Sequence, residues 1–271
     1  RTYHPRTEPQ DKRIEEAVTM MAGAQRPIIY SGGGVINSGP AASEALRALA
    51  KATGWPVTST LMGLGAFPAS DAQWLGMLGM HGSFEANNAM HDCDVMLCVG
   101  ARFDDRVTGR LDAFAPNSKK IHIDIDPSSI NKNVRADVPV VADCGKALTA
   151  INKEWKRKVS RKPDLSGWWK QIDTWRARKG FAYPNSKTLI KPQYALERLY
   201  ELTKDRDTYI TTEVGQHQMW AAQFYHFQKP NRWMTSGGLG TMGYGLPAAI
   251  GVQAAHPDAL VIDIAGDASV Q

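Results

Sequence analysis

Short apolar runs that alternate with helical segments constrain the fold of this chain more than any other feature. The run DVMLCV at residues 94–99 is almost entirely apolar, which is typical of a strand buried on both faces. Helical segments at Asp11–Ala22 and Ala41–Ala52 separate such runs, and this alternation predicts an α/β fold with a parallel sheet covered by helices. The other strands predicted in this region are Pro27–Tyr30, Val57–Thr60 and Lys120–Ile125.

A second α/β pattern follows the break Tyr183–Ser186. Its predicted helices are Pro192–Thr203, Gln216–Phe224 and Gly243–Ala255, and its predicted strands are Thr208–Thr211 and Ala259–Ile264. We therefore divide the chain into a linker (1–10), a first α/β domain (11–150), a basic helical connecting segment (151–190) and a second α/β domain (191–271). Because the last strand is followed by only a few residues, we expect the second domain to be truncated and the chain to be an internal fragment.

The chain has a net charge of +5, and much of the excess lies in a basic tract at residues 146–162. This tract has two interpretations. We favour a solvated helix face and linker. The alternative is a nucleic-acid surface in which the nearby Trp155, Trp168, Trp169 and Trp175 stack on bases, although these side chains also suit helix packing. Cys93, Cys98 and Cys144 are too few and too irregularly spaced for a disulfide scaffold or a zinc site. No apolar run is long enough to span a bilayer.

Two motifs in the first domain are candidate ligand sites. Gly32–Gly34 stands between a strand and a helix, where glycines let backbone N–H groups approach a phosphate. A tight turn alone explains the triple equally well, and the absence of a full GxGxxG pattern disfavours a nicotinamide dehydrogenase. The loop GARFDDRVTG at Gly100–Gly109 follows another strand, and its Arg side chains suit anionic oxygens. Its alternative is a charged surface loop with internal ion pairs.

Glycine-rich stretches in the rest of the chain give further candidates. Asp267, in GDAS after the last strand, suits a Mg²⁺ ion that bridges a diphosphate, or it serves as a turn cap. The stretch Ser236–Gly251 indicates a helix packed tightly on the sheet, on a ligand or on both. Met and Leu in the loops Ser59–Gly65 and Leu78–Gly82 suit the face of a flat ring or an ordinary core.

Taken together, the motifs resemble the acetohydroxyacid synthase (acetolactate synthase) large-subunit family of thiamine-diphosphate enzymes over essentially the whole chain. The resemblance implies a Rossmann-like (DHS-like) parallel-sheet domain that binds FAD, followed by the first part of an α/β domain that binds thiamine diphosphate. The stretches that carry it are YSGGGVINSG, STLMGLGAFPAS, WLGMLGMHG, GARFDDRVTGRL, IHIDIDPSSINKN, VGQHQMWAAQF, GGLGTMGYGLPAAIG and VIDIAGDAS.

The same resemblance implies the residues that contact the cofactors. Those matching flavin contacts are Arg6, Gly32, Gly33, Gly34, Thr60, Leu61, Met62, Leu78, Gly79, Met80, His81, Gly100, Ala101, Arg102, Asp104, Arg106, Val107, Asp124, Ile125, Asp143 and Cys144. Those matching the thiamine-diphosphate site are Val214, Gly215, Gln216, His217, Gly240, Met242, Gly266, Asp267, Ala268 and Ser269. Among them, Asp267 matches a Mg²⁺ ligand, Met242 the side chain between the two rings of the cofactor, and Arg106 an Arg near the second substrate.

The reaction implied is decarboxylation of pyruvate and transfer of its two-carbon unit to a second 2-keto acid, in branched-chain amino-acid biosynthesis. The resemblance also implies a cytoplasmic homodimer or homotetramer and allows a small regulatory subunit, with no nucleic-acid or membrane partner. The family's activating Glu comes from another domain of the other subunit, so Glu213 does not match it. We therefore expect this fragment alone to be inactive. The alternatives are glyoxylate carboligase, pyruvate oxidase or a non-catalytic nucleotide-binding fragment.

Overall fold

A computed structural model describes residues 4–271 of the chain, and within them it contains two sheets in which all strands are parallel. The first sheet has the order β3-β2-β1-β4-β5-β6. Its strands are β1 (Pro27–Ser31), β2 (Val57–Ser59), β3 (Trp74–Met77), β4 (Val95–Val99), β5 (Lys119–Asp124) and β6 (Val138–Val141). The α/β fold class predicted from the sequence is confirmed.

Helices cover both faces of the first sheet, and its central strands are therefore buried along their whole length. These helices are α1 (Asp11–Ala22), α2 (Gly33–Asn37), α3 (Pro40–Thr53), α4 (Phe84–Asp92), α5 (Asp105–Thr108), α6 (Cys144–Lys158) and α7 (Ser166–Arg176). Local residues set their ends. Pro40 occupies the first position of α3 and Gly54 ends that helix in the left-handed conformation. The Asp143 side chain accepts a hydrogen bond from the backbone N–H of Lys146 and so caps α6.

The Trp residues of the basic tract pack into the first core. Trp155, Trp168 and Trp175 are all buried there, and the rings of Trp168 and Trp175 meet edge to face. The Trp168 indole N–H donates to the Pro27 carbonyl, and that of Trp169 donates to the Gly54 carbonyl. Helix packing is therefore confirmed as the role of these Trp side chains, and buried rings are not available for stacking on bases.

The second sheet is formed by strands between Thr208 and Ile264 and has the order β8-β7-β9. Its elements are α8 (Pro192–Thr203), β7 (Thr208–Thr212), α9 (Gln216–Phe224), β8 (Trp233–Thr235), α10 (Gly245–Ala255) and β9 (Leu260–Ile264). A separate core of aromatic and aliphatic side chains, including Ile210, Phe224 and Trp233, supports it. Within residues 4–271, no helix combines the length and the apolar character that crossing a membrane requires.

The two sheets touch through their loops. The Gln223 side chain donates to the His81 carbonyl at 2.9 Å, and the Ser70 hydroxyl donates to the Gln228 side chain at 2.8 Å. The side chain of Met62 also lies directly against the Cα of Gly237. Residues of the loops that follow β2, β3 and β8 therefore fix how the two carboxyl edges lie beside each other.

Close backbone contact joins β1 to β4 at the centre of the first sheet. The N–H of Gly32 donates to the Val99 carbonyl, and the N–H of Gly34 donates to the Gly100 carbonyl. A Cβ added to Gly34 would stand 2.6 Å from the Cα of Gly100, too close for a real contact. Glycine at these positions is therefore required by the approach of two chain segments, which is the tight-turn interpretation of the triple.

Replacing Gly34 by Ala is expected to destabilise the domain by about 1–3 kcal/mol, because the new methyl group meets backbone that cannot rotate away. Gly167 in α7 is the matched control, since an added Cβ there meets nothing within 4 Å. G167A is expected to change the free energy of unfolding by less than about 1 kcal/mol, in the stabilising direction. Urea unfolding of the full-length protein measures both, and equal midpoints for G34A and G167A would contradict the packing argument.

Candidate functional site

The residues matched to flavin contacts gather at the carboxyl edge of the first sheet. Because the carboxyl ends of parallel strands share one edge, the structure brings the loops that follow β1 to β6 together there. The strand ends, these loops and the first turns of the helices after them contain Gly32, Gly33 and Gly34; Thr60, Leu61 and Met62; Leu78, Gly79, Met80 and His81; Gly100, Ala101, Arg102, Asp104, Arg106 and Val107; Asp124 and Ile125; and Asp143 and Cys144. Arg6 lies exposed in the segment before α1, which is joined to the loop after β6 by a hydrogen bond from the Asp143 N–H to the Thr7 carbonyl.

The strand order reverses between β1 and β4, so the loops that begin at Gly32 and Gly100 flank the crevice where open α/β sheets bind ligands. Gly32 is buried against Gly100 and Ala101. Gly33 differs from its neighbours because an added Cβ would meet only Met62, with the Met62 Cβ at 3.1 Å and its carbonyl oxygen at 3.5 Å. The backbone of Gly33 is therefore the part of the triple that remains open to a ligand.

Two methionines expose apolar surface at this edge. Met62 is 42% exposed and Met80 is 64% exposed. The N–H of Met80 donates to the Arg106 carbonyl at 2.8 Å, and the N–H of Gly79 donates to the Asn87 side chain. The loop after β3 is thus tied to the loop after β4, and it presents a flexible thioether that suits the face of a flat ring.

The Arg side chains of the Gly100–Gly109 loop form ion pairs within the loop. Arg102 lies 2.9 Å from Asp104, and Arg106 lies 3.5 Å from Asp105. Both guanidinium groups are largely exposed, and exposed pairs of this kind add little to stability. The ion pairs expected of a charged surface loop are therefore present. The same Arg side chains are nevertheless accessible to an anionic ligand.

Other matched residues at this edge are already engaged within the protein. The Asp143 carboxylate accepts hydrogen bonds from the Ser38 hydroxyl and the Lys146 N–H. Cys144 is buried beneath Gly34 and Gly100, and burial raises the pKa of its thiol to about 12. Burial also raises the pKa of Asp124. Asp143 and Cys144 thus support the glycine contact from below, and the Cys144 thiol is not a nucleophile at neutral pH.

Three loops converge at the carboxyl edge of the second sheet. They follow β7, β8 and β9 and, together with the first turn of α9, contain the matched residues Val214, Gly215, Gln216 and His217; Gly240 and Met242; and Gly266, Asp267, Ala268 and Ser269. An added Cβ at Gly240 would lie 3.5 Å from the Val214 side chain, and one at Gly243 would lie 3.9 Å from the Ser269 carbonyl. The loops that follow β7, β8 and β9 therefore lie close together at this edge.

The crevice of this edge lies between β7 and β9, because the strand order reverses there. The ring of His217 fills it: a Cβ added to Gly215 or to Gly266 would lie 2.9 Å from the His217 Cε1. Asp267 is exposed after β9. Within residues 4–271 its carboxylate makes no hydrogen bond or ion pair, so it is free to bind a hard cation.

Sequence reasoning assigned no role to Glu213 and Asp263, which lie beneath this crevice. Glu213 is completely buried at the end of β7, and its Oε1 accepts the Gly245 N–H at 2.9 Å. The Asp263 carboxylate accepts the Thr211 hydroxyl at 2.9 Å. Burial, with the nearby Glu213 charge, raises the pKa of Asp263. The signal available in the sequence was an acidic residue inside or directly after a β-branched strand, where a charge is costly.

The residues present fit the two cofactors that the motifs indicate. A free carboxylate and a histidine at one switch point suit a metal-bound diphosphate, and open glycine backbone beside two exposed Arg side chains suits the phosphates of a dinucleotide. The sequence motifs predicted these groups, and the structure places them at the neighbouring carboxyl edges of the two sheets.

Curated relatives with a similar sequence are acetolactate synthases. Acetolactate synthase isozyme 3 large subunit from Escherichia coli (strain K12) is 47% identical over 273 residues, covering 100% of this chain and 47% of that protein. Acetolactate synthase, chloroplastic, from Arabidopsis thaliana is 46% identical and covers 96% of this chain and 38% of that protein. The chain spans about half the length of the curated relatives it matches. The resemblance drawn from the motifs is confirmed.

Two family profiles match the chain. Residues 14–151 match the profile described as "Thiamine pyrophosphate enzyme, central domain", and residues 213–271 match "Thiamine pyrophosphate enzyme, C-terminal TPP binding domain". The first match includes the loops of the first edge from Gly32 to Cys144, and the second includes all three loops of the second edge. Since the first profile alone covers more than half of the chain, the chain belongs to the thiamine pyrophosphate enzyme family.

Proposed function

We propose that the protein containing this chain is an acetolactate synthase: it decarboxylates pyruvate and transfers the two-carbon unit to a second 2-keto acid, either pyruvate or 2-ketobutyrate. The observation that carries the proposal is the packing of Met62 against Gly237. This contact sets a flavin-type edge beside a thiamine-diphosphate edge within one chain. The names of the relatives from Escherichia coli, Arabidopsis thaliana and Mycobacterium leprae, which are acetolactate synthases, support the same conclusion.

Each cofactor has a set of residues that would hold it. At the second edge, Asp267 would bind Mg²⁺, while His217 and the backbone at Gly215 and Gly266 would hold the diphosphate. At the first edge, the backbone of Gly33 and the side chain of Arg102 would hold FAD. When bound, thiamine diphosphate supplies the stabilisation of negative charge that decarboxylation of a 2-keto acid requires.

Exposed apolar side chains surround the loops of the second edge. Leu239 is fully exposed, and Met242, Leu246 and Ile250 are also exposed. Apolar side chains exposed in this way are available to pack against a further protein surface. The family resemblance supports assembly into a homodimer or homotetramer, and the proposal includes a small regulatory subunit and a cytoplasmic location.

Product analysis tests the proposed reaction. The full-length protein, given pyruvate with thiamine diphosphate, Mg²⁺ and FAD, is expected to form 2-acetolactate. Adding 2-ketobutyrate is expected to yield 2-aceto-2-hydroxybutyrate as well. Release of acetate with reduction of oxygen would instead identify a pyruvate oxidase, and a product formed only from glyoxylate would identify a glyoxylate carboligase. Either outcome would contradict the proposal.

Asp267→Ala is expected to abolish Mg²⁺-dependent binding of thiamine diphosphate, because the carboxylate is the hard ligand available at the end of β9. Asp258→Ala is the matched control, since Asp258 is also exposed but lies in the turn before β9, away from the carboxyl edge. Calorimetric titration of the full-length apoenzyme compares the two variants. Unchanged affinity in D267A would show that Asp267 is only a turn residue.

Arg106→Ala is expected to depress two-carbon transfer more than pyruvate decarboxylation, because the guanidinium can hold the carboxylate of the second 2-keto acid at two oxygens. The loss corresponds to about 2–4 kcal/mol in the transition state for transfer. Arg110→Ala is the control, because Arg110 is equally exposed and pairs with Asp112 in the same region. Product partition and bound FAD are measured in one preparation. Full flavin occupancy with unchanged partition would eliminate the substrate role, and joint loss of flavin and both steps would assign Arg106 to FAD.

A further inference from the structure

We propose that Glu213 is a positioning residue that fixes the imidazole of His217 in the crevice between the loops that follow β7 and β9. The role rests on the proposed function, because His217 is one of the residues proposed to hold the diphosphate. Glu213 itself lies beneath the crevice and is fully buried, so it acts on the cofactor site through His217.

The unpaired oxygen of Glu213 is the first observation. Its Oε1 accepts the Gly245 N–H, but its Oε2 is buried and makes no hydrogen bond within the described part of the chain. A buried carboxylate oxygen without a partner is costly, so such a group calls for an explanation. The Nε2 of His217 lies 3.4 Å from this Oε2 and is likewise buried without a hydrogen bond among residues 4–271. A small rotation of the ring therefore satisfies both groups at once.

The packing of the ring is the second observation. The Cε1–Nδ1 edge of His217 lies against Gly215 and Gly266, since a Cβ added to either glycine would stand 3.0–3.1 Å from Nδ1. The opposite nitrogen, Nε2, faces the buried carboxylate. With Nε2 held by Glu213, Nδ1 is the nitrogen that remains for a ligand at the edge of the sheet. A buried partner that fixes an imidazole in this way orients it as the outer hydrogen bonds of metal-binding histidines do.

Asp263 lies beside Glu213 and provides a contrast to it. Its carboxylate lies under the same Gly245 and accepts the Thr211 hydroxyl, but within residues 4–271 it makes no hydrogen bond or ion pair with His217. Burial is the main cause that raises the pKa of Asp263. Glu213 is fully buried whereas Asp263 is only half-buried, and of the two acids only Glu213 lies within ion-pair distance of the His217 ring.

A double-mutant cycle on the full-length apoenzyme tests the proposal. Its variants are E213Q, H217Q and the double substitution, and thiamine diphosphate is titrated calorimetrically at saturating Mg²⁺. E213Q keeps the acceptor for the Gly245 N–H. Each single change is expected to raise the dissociation constant about tenfold, the loss of one charge-assisted hydrogen bond. The double substitution is expected to raise it about tenfold as well, since the effects of coupled residues do not multiply.

D263N is the matched control: its coupling with H217Q is expected to be smaller than that of E213Q, because Asp263 makes no ion pair with His217 within the described residues. Thermal unfolding of each apoenzyme separates loss of fold from loss of orientation, and E213D replaces E213Q in the cycle if E213Q does not fold. A roughly hundredfold loss in the E213Q and H217Q double variant would overturn the proposal, because two residues that act independently give additive free energies. Failure of the unsubstituted enzyme to bind thiamine diphosphate would instead overturn the proposed function itself.

Discussion

The approach of Gly34 to Gly100 is the contact on which the first sheet and its edge depend. Two chain segments that leave neighbouring parallel strands meet there with no side chain between them. The buried Cys144 fills the space below, and Asp143 holds the start of α6 and Ser38 together. This contact closes the base of the crevice and leaves the backbone of Gly33 and the surrounding loops at its mouth.

In the second sheet, a side chain rather than a backbone contact closes the base of the crevice. Its crevice between β7 and β9 is occupied by the imidazole of His217, and glycines at 215 and 266 are needed because the ring takes up the space that a Cβ would use. Backbone contact needs no charge, but an imidazole in a crevice needs a partner for its inner nitrogen, and Glu213 faces that nitrogen. Burying the Glu213 carboxylate costs free energy, and the same carboxylate orients His217 at the carboxyl edge of the sheet.

The sequence was sufficient for the fold class, for the central strands and for the loops of both edges. Apolar runs identified β1 and β4, the stretch Lys120–Ile125 was also predicted as a strand and corresponds to β5, and motifs placed the loops that follow. It did not predict the edge strands β3, β6 and β8, because these are short and contain a glycine in β3 and a proline in β6. Nor did it link Glu213 to His217. That partnership depends on how the chain turns between the end of β7 and the start of α9, which spacing alone does not specify.

The contacts between the two sheets explain why an FAD-type edge would matter to a reaction at the other edge. His81 and Met62 lie in loops of the first edge, and through Gln223 and Gly237 they also contact the second domain. A ligand that orders these loops would therefore also fix the relative position of the two edges, because the same residues form both surfaces. On the proposed function, FAD would stabilise the arrangement of the thiamine-diphosphate site without taking part in net electron transfer, because decarboxylation with two-carbon transfer needs no external electron acceptor.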